Sequence, residues 1–285
     1  MASVKILRRR IRSIQGTAKI TRAMEMIATA KMKRTQQQAL AGRPYAEKIR
    51  QVIADLAVEL SVKGKVPPLL LKRDVKKIAV VHMTTDRGLC GGLNTNLNRL
   101  VGRFASEQKT PIHLITVGRK GRSFARSAGL PLYAEFTGIG DRAGVRDTLA
   151  ISRLLIEDYS QGNVDLVYLA YPRFMSTVLQ KPTLEVLLPV EPARLPPGQV
   201  AEYLYEPSAS AVLNELLPRF VEMEVYHAVL ELIACEQSAR MVAMRNASDN
   251  AEDMIKALTL TMNKVRQEMV TKEICDITGG AEILK

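Results

Sequence analysis

The sequence predicts an α/β chain in which a small domain with a mainly parallel sheet lies between two long helical ends. Three observations predict it. Both ends carry apolar residues at heptad spacing, the middle third switches to short β-branched runs alternating with helical stretches, and aromatic residues are scarce. The 285 residues include 5 Phe, 8 Tyr and no Trp, against 47% hydrophobic content overall. A single large core usually holds more aromatics, so helices packed by Ala, Met, Ile and Leu are expected.

The C-terminal stretch from about Glu231 to Leu284 has no proline, and no glycine before Gly279-Gly280. Ala251, Ile255, Leu258, Met262, Val265 and Met269 step 4, 3, 4, 3, 4, a seam that wants a partner helix along its length. It weakens where Thr271, Lys272, Glu273 and Asp276 crowd in. At about 1.5 Å per residue such a helix spans roughly 80 Å, more than one compact core can bury.

From Ser3, a candidate cap, to about Leu60 the pattern is again helical. Val4, Leu7, Ile11 and Ile14 step 3, 4, 3; Ile20, Met24 and Ile27 step 4, 3 after a slip in phase; Ile49, Val52, Ile53, Leu56 and Leu60 resume an apolar face. Gly42-Arg43-Pro44 is expected to kink or break this helix, because proline removes a backbone donor and clashes with the preceding turn.

Gly64–Asp74, with Pro67-Pro68, reads as a linker. Strands are expected at Lys77–Met83, Pro111–Val117, Leu132–Ala134, Val164–Tyr171 and Leu184–Val190. Helices are expected at about Leu93–Gln108, Lys120–Ala128 and Asp147–Tyr159. Strands alternating with helices argue for parallel pairing. Pro192–Pro207 is proline-rich and reads as a return loop. Helical pattern resumes near Ser208, with Pro218 expected near the helix start or at a kink. The segments divide as 1–62, 75–192 and 208–285.

Charge is placed unevenly. The net charge is +12, and residues 1–50 hold thirteen basic residues against Glu25 and Glu47, so eleven of the twelve charges sit on one element. Such a stripe implies an acidic partner: a nucleic acid, an anionic membrane or acidic protein loops. Arg8-Arg9-Arg10 also reads as a solvated helix face, and only Tyr45 is at hand to stack on bases. No run of about 18 apolar residues offers a membrane span, and the N-terminus lacks the apolar region of a secretory signal.

The chemistry is mostly negative. Cys90, Cys235 and Cys275 are widely spaced and read as free thiols in a reducing compartment. His82, His113 and His227 share no metal spacing and read as structural. Eight of the methionines on the two long helices (Met24, Met26, Met32, Met241, Met244, Met254, Met262 and Met269) read first as core filling. The turn Asp86-Arg87-Gly88-Leu89-Cys90-Gly91-Gly92, between a strand and a helix, is the one phosphate-cradle candidate. Its glycine spacing is neither GxGxxG nor GxxxxGK[ST], so tight turning is the simpler reading. No GxSxG or HExxH occurs. No catalytic residue, cofactor site or metal site is expected.

Three motifs carry a resemblance. EQSARMVAMRNASDNA followed by LTLTMNKVRQEMVTKEICDITGGA, RIRSIQGTAKITRAMEMIATAKMKRTQQ, and TTDRGLCGGLN resemble the C-terminal helix, the N-terminal helix and the middle-domain signature of the gamma subunit family of F-type ATP synthases. The resemblance implies a long antiparallel coiled coil of the two ends plus a small Rossmann-like middle domain that binds no nucleotide. It implies a central rotating stalk that couples proton or sodium flow through a c-ring to ATP synthesis or hydrolysis on three alpha and three beta subunits. It implies an epsilon subunit as a further partner, no catalysis by the chain itself, and a peripheral place on the cytoplasmic face of the bacterial plasma membrane. Met24, Arg240, Arg266, Gln267 and Thr271 match the family positions that contact the catalytic subunits. On the residues alone these five are ordinary helix polarity or packing. A basic coiled-coil nucleic-acid-binding protein is the alternative, with steeply salt-dependent binding.

Overall fold

The structure is a computed structural model and describes residues 4–63, 67–191, 206 and 208–283; within these, the side chains of 39–47, 50, 57–63 and 280–283 are not described. The elements run α1 (Val4–Lys63), a short 3-10 turn (Pro68–Leu70), β1 (Ile78–Met83), α2 (Leu93–Glu107), β2 (Ile112–Val117), α3 (Arg119–Ser127), β3 (Leu132–Phe136), α4 (Val145–Ser160), β4 (Leu166–Phe174), β5 (Gln180–Leu188) and α5 (Ala209–Ile283). Every expected strand and helix of the middle region is present. The last strand starts four residues earlier than its apolar run suggests, because Gln180–Thr183 pairs with Tyr171–Phe174 at the end of β4. Two compact units result: Thr29–Ala239, and residues 1–28 together with 240–285.

In the larger unit, five strands stand in the order β3-β2-β1-β4-β5. All pairs are parallel except β4 with β5. The central strand β1 is buried at all six positions, as expected of a strand covered on both faces. Its side chains alternate between two cores. Ala79, Val81 and Met83 face Ile115, Val117, Ile151, Leu155 and Tyr159, together with Ile53 and Leu56 of α1 and Leu213, Leu217, Val225 and Val229 of α5. Ile78 and Val80 face Leu97 and Val101 of α2 and Ala125 of α3.

Four expectations change. α1 runs through Gly42-Arg43-Pro44 without interruption; Ile49, Ile53 and Leu56 beyond it are buried in the same core, and this packing outweighs the lost hydrogen bond. The segment before β1 is more than a linker where it is described. Leu69 is buried, its carbonyl accepts from the Val190 amide at 2.9 Å, and the Tyr159 hydroxyl donates to the Leu71 carbonyl at 2.7 Å. Pro218 lies inside α5, in its third turn, flanked by buried Leu217. The apolar phase slip expected in α1 is absent, Ile20 and Ile27 being exposed. The Pro192–Pro207 loop, apart from exposed Glu206, and the Ser3 cap fall on residues outside those described.

His82 of β1 is fully buried beside Phe124, and neither ring nitrogen has a hydrogen-bond partner. Burial lowers its pKa from 6.5 to about 4; Asn98 lies close enough to oppose the shift in part but outside hydrogen-bond geometry. The unfolded chain therefore takes up this proton before the folded one, and protonation favours unfolding. Stability is full above about pH 6.5 and drains as the pH falls towards 4. At pH 4.5 this one group removes roughly 2–3 kcal/mol. Denaturant unfolding at pH 7.5 and 4.5 measures it, and His82→Gln is expected to remove that share of the pH dependence.

Candidate functional site: the coil and the closed edge of the sheet

The smaller unit consists of two helical segments, residues 4–28 of α1 and 240–283 of α5. They run antiparallel: the Thr21 and Ser248 hydroxyls meet at 2.6 Å, Arg245 Nε donates to Glu25 at 2.8 Å, and Arg22 lies 3.4 Å from Glu252. Both seams are unbroken heptads. On α1 the covered positions are Val4, Leu7, Ile11, Ile14, Ala18, Thr21, Glu25 and Ala28; on α5 they are Met241, Met244, Ser248, Ala251, Ile255, Leu258, Met262 and Val265. The expected phase slip at Ile20 does not occur. Ile20, Met26 and Ile27 are 63%, 64% and 55% exposed, and small residues carry the seam on instead. Small and hydroxyl side chains let the backbones approach closely, and a buried hydroxyl then needs a partner, which Thr21 and Ser248 supply to each other. The 3-4 spacing of Ile14, Ala18 and Thr21 is the sequence signal, masked by larger apolar residues on the opposite face.

The antiparallel register places Val4 near Val265. Beyond that point no described residue of α1 lies opposite α5, and every described side chain from Arg266 to Gly279 is exposed, Met269, Ile274 and Ile277 among them. The methionines divide accordingly: Met32, Met241 and Met244 are buried, whereas Met26, Met254 and Met269 are exposed. Outside the seam, Lys5, Arg8, Arg9, Arg10, Arg12, Lys19 and Arg22 of α1 are exposed. The two ion pairs across the coil are partly or fully solvated and add little, about 0–1 kcal/mol each.

The five sequence-predicted contact residues are therefore not one cluster. Arg266, Gln267 and Thr271 lie together on the uncovered end of α5. Met24 is half-buried beside the seam of α1. Arg240 is 9% exposed and already has polar partners within the chain.

In the larger unit, ligands of parallel sheets bind beyond the carboxyl ends of the strands. Here that edge is filled by the chain itself. Asp86 occupies the place an anion would take at the start of α3: one carboxylate oxygen accepts from the Arg119 amide and the other from the Gly138 amide, both at 2.9 Å. The Thr84 hydroxyl donates to the Val117 carbonyl at 2.9 Å and accepts from the Gly121 amide at 2.6 Å. Asn94 ties the glycine turn back to Thr85 at 2.8 Å and to Cys90 Sγ at 3.3 Å. The space left among Thr84, Asp86, Gly118, Val229, Ile233 and Glu236 is about 20 Å³, less than a phosphate needs. Gly91 sits at φ +56° and Leu89 at φ +62°, a tight turn rather than a cradle. Buried Cys90 packs with Leu93 and Cys235, and burial pushes the Cys235 thiol well above the usual range. Cys275 is exposed. Among the described residues, no group of three His, Cys, Asp or Glu gathers as a metal site, and no helix is long and apolar enough to cross a membrane.

Comparison with known proteins agrees with this geometry. A family model described as ATP synthase matches residues 3–284. The ATP synthase gamma chain of Dehalococcoides mccartyi strain 195 is 58% identical over 285 residues, covering all of both chains. That of Pelotomaculum thermopropionicum is 44% identical over 286 residues, again covering all of both. Among solved structures, the central stalk and c-ring of the Tetrahymena thermophila mitochondrial ATP synthase superposes with a TM-score of 0.62 at 27% identity, covering 80% of this chain and 99% of that one. The rotor of the Euglena gracilis mitochondrial ATP synthase shares the fold, with a TM-score of 0.69 at 18% identity over 94% and 98% of the two chains.

A heptad coil with an uncovered end, and an α/β domain whose ligand edge is closed, define a central-stalk subunit of a rotary ATP synthase. The chain belongs to the ATP synthase gamma chain family.

Proposed function

We propose that this central stalk is non-catalytic and turns inside a ring of three alpha and three beta subunits. It couples proton or sodium flow through a c-ring to ATP synthesis or hydrolysis on the beta subunits. The observation that carries this reading is the uncovered end of α5: Arg266, Gln267 and Thr271 are presented to solvent on a helix that α1 no longer covers. Such a surface is polar enough to slip past successive neighbours and directional enough to push on them. The exposed basic face of α1 gives screened attraction to acidic loops rather than a fixed pocket. Met24 is assigned to the same contact. Arg240 joins by family position, with 9% of its surface left exposed.

An epsilon subunit is assigned to the α/β domain, and the complex to the cytoplasmic face of the bacterial plasma membrane, with the chain itself peripheral. Functionally the chain divides as 1–62, 75–192 and 208–285. The nucleic-acid reading that the basic helix allowed has no relative or structural neighbour behind it.

The test is reconstitution with separately purified alpha and beta subunits from the same source. A one-to-six complex with strongly raised ATPase activity is expected. Gln267→Leu removes one exposed hydrogen-bonding group, at about 1 kcal/mol, and is expected to lower turnover about fivefold while assembly persists. A chain that neither joins the ring nor changes its turnover contradicts the reading.

A further inference from the structure

The apolar contacts that hold the α/β domain to its stretches of α1 and α5 are non-directional. Packed helices slide on such surfaces in shear motions at small cost. Rotation of a stalk loads this contact in shear, so something directional has to resist slip. The loop Thr137–Gly144, between β3 and α4, has the required ties. At one end, the Gly138 amide donates to Asp86, which is itself fixed to α3 through the Arg119 amide. At the other, the Gly144 amide donates to Asp147 at 2.8 Å. Between these anchors the loop crosses both long helices. Tyr226 of α5 donates to the Ala143 carbonyl at 3.5 Å, Gln237 of α5 donates to Asp141 Oδ1 at 3.3 Å, and Lys31 of α1 pairs closely with Asp141 Oδ2. Tyr226 and Gln237 are three turns apart, about 16 Å along the helix, so the loop lies along α5 rather than touching it at a point. Ala143 is buried in the main core and Gln237 is fully buried.

We propose that the Thr137–Gly144 loop is a strap that locks the α/β domain against both long helices, and that Asp141 is the positioning residue at its centre. Its two oxygens serve two different helices, so one side chain ties α1 and α5 to the same point of the domain, whereas the bonds of α5 to the β4–β5 side, Glu231 with the Phe174 amide and Ser238 with the Thr177 carbonyl, both at 2.7 Å, engage α5 alone. A charge-assisted bond on one side and a buried amide on the other make the tie short and directional. This inference rests on the stalk reading, since only a loaded stalk needs the lock.

The test uses the assembled complex with a bead fixed to the α/β domain at Lys109→Cys in a Cys275→Ser background. The angular fluctuation of the bead between ATP-driven steps reads torsional stiffness, which a merely stabilising residue does not set. Asp141→Ala is expected to widen the angular variance about twofold or more through loss of both directional bonds, while bulk ATPase activity stays near wild type. Asp141→Asn, which keeps a partner for Gln237 but loses the charge, is expected to fall between. Lys31→Asp combined with Asp141→Lys is expected to restore stiffness. Should Asp141→Ala fail to assemble, the Asn variant and the charge exchange decide the matter by the same readout. Variance equal to wild type in Asp141→Ala or Asp141→Asn, or no rescue by the exchange, overturns the strap. A wild-type complex whose bead does not rotate at all overturns the stalk reading instead.

Discussion

Gly118→Ala is expected to destabilise the chain by about 3–5 kcal/mol, the range seen when backbone strain and a hard clash coincide. Gly118 ends β2 and opens α3 at φ +90°, a conformation that L side chains rarely adopt. A Cβ there would stand 2.1 Å from the Thr84 carbonyl oxygen and 2.7 Å from its carbon. Both atoms are backbone at the end of the central strand, and the Gly118 amide donates to the Phe136 carbonyl at 2.8 Å. Relief would require separating β1 from β2 or breaking that bond. Denaturant unfolding followed by circular dichroism measures the loss. Gly129→Ala is the comparison: its φ is +65° but nothing lies within 4 Å, so about 1 kcal/mol of backbone strain is expected alone. Equal effects at the two sites would contradict the close strand-end packing that closes the ligand edge.

The second large effect is functional. Removing residues 266–285 is expected to leave the melting temperature of the chain within about 2 °C of wild type, because the described side chains removed are exposed and cover nothing in α1. In the assembled complex the same truncation is expected to lower coupled ion pumping by about tenfold or more, since it deletes Arg266, Gln267 and Thr271 together at about 1 kcal/mol of directional contact each. Extending the deletion to 258–285 also removes Leu258, Met262 and Val265 from the seam. By the antiparallel register this uncovers Leu7 and Ile11, and a loss of about 2–5 kcal/mol per large buried side chain follows. The contrast separates transmitting force from holding the coil together.

These expectations show what the sequence could and could not disclose. The seam of α5 was legible from Ala251 to Val265, where apolar residues keep a strict 3-4 spacing; Met269, which continues that spacing and was expected in the seam, is exposed instead. The seam of α1 was legible only to Ile14. Past that point the covered positions are Ala18, Thr21, Glu25 and Ala28, while Ile20 and Ile27 face solvent, so hydrophobicity pointed to the wrong face. The strands were legible because β1, β2 and β4 are buried runs bounded by turns. The start of β5 was not, because Gln180–Thr183 is polar and is strand only through its pairing with β4. The helix through Gly42-Arg43-Pro44 overrode local propensity, as tertiary packing commonly does.

The site was legible in part. The composition of the end of α5 marked it as uncovered, and the wrong glycine spacing marked the turn as closed to nucleotides. Nothing local indicated that Asp86 fills the anion position itself, or that Asp141 meets two helices. Both depend on contacts between residues far apart in the chain, 110 positions in the case of Lys31 and Asp141.

The central claim is that this chain turns as a shaft. Its most direct test is to fix a bead to the α/β domain at Lys109→Cys, in a Cys275→Ser background, anchor the assembled alpha–beta ring to a surface, and record the bead on adding ATP. Unidirectional rotation that stops when ATP is withdrawn is the predicted result. A ring that hydrolyses ATP at full rate while the bead shows only undirected fluctuation would contradict it.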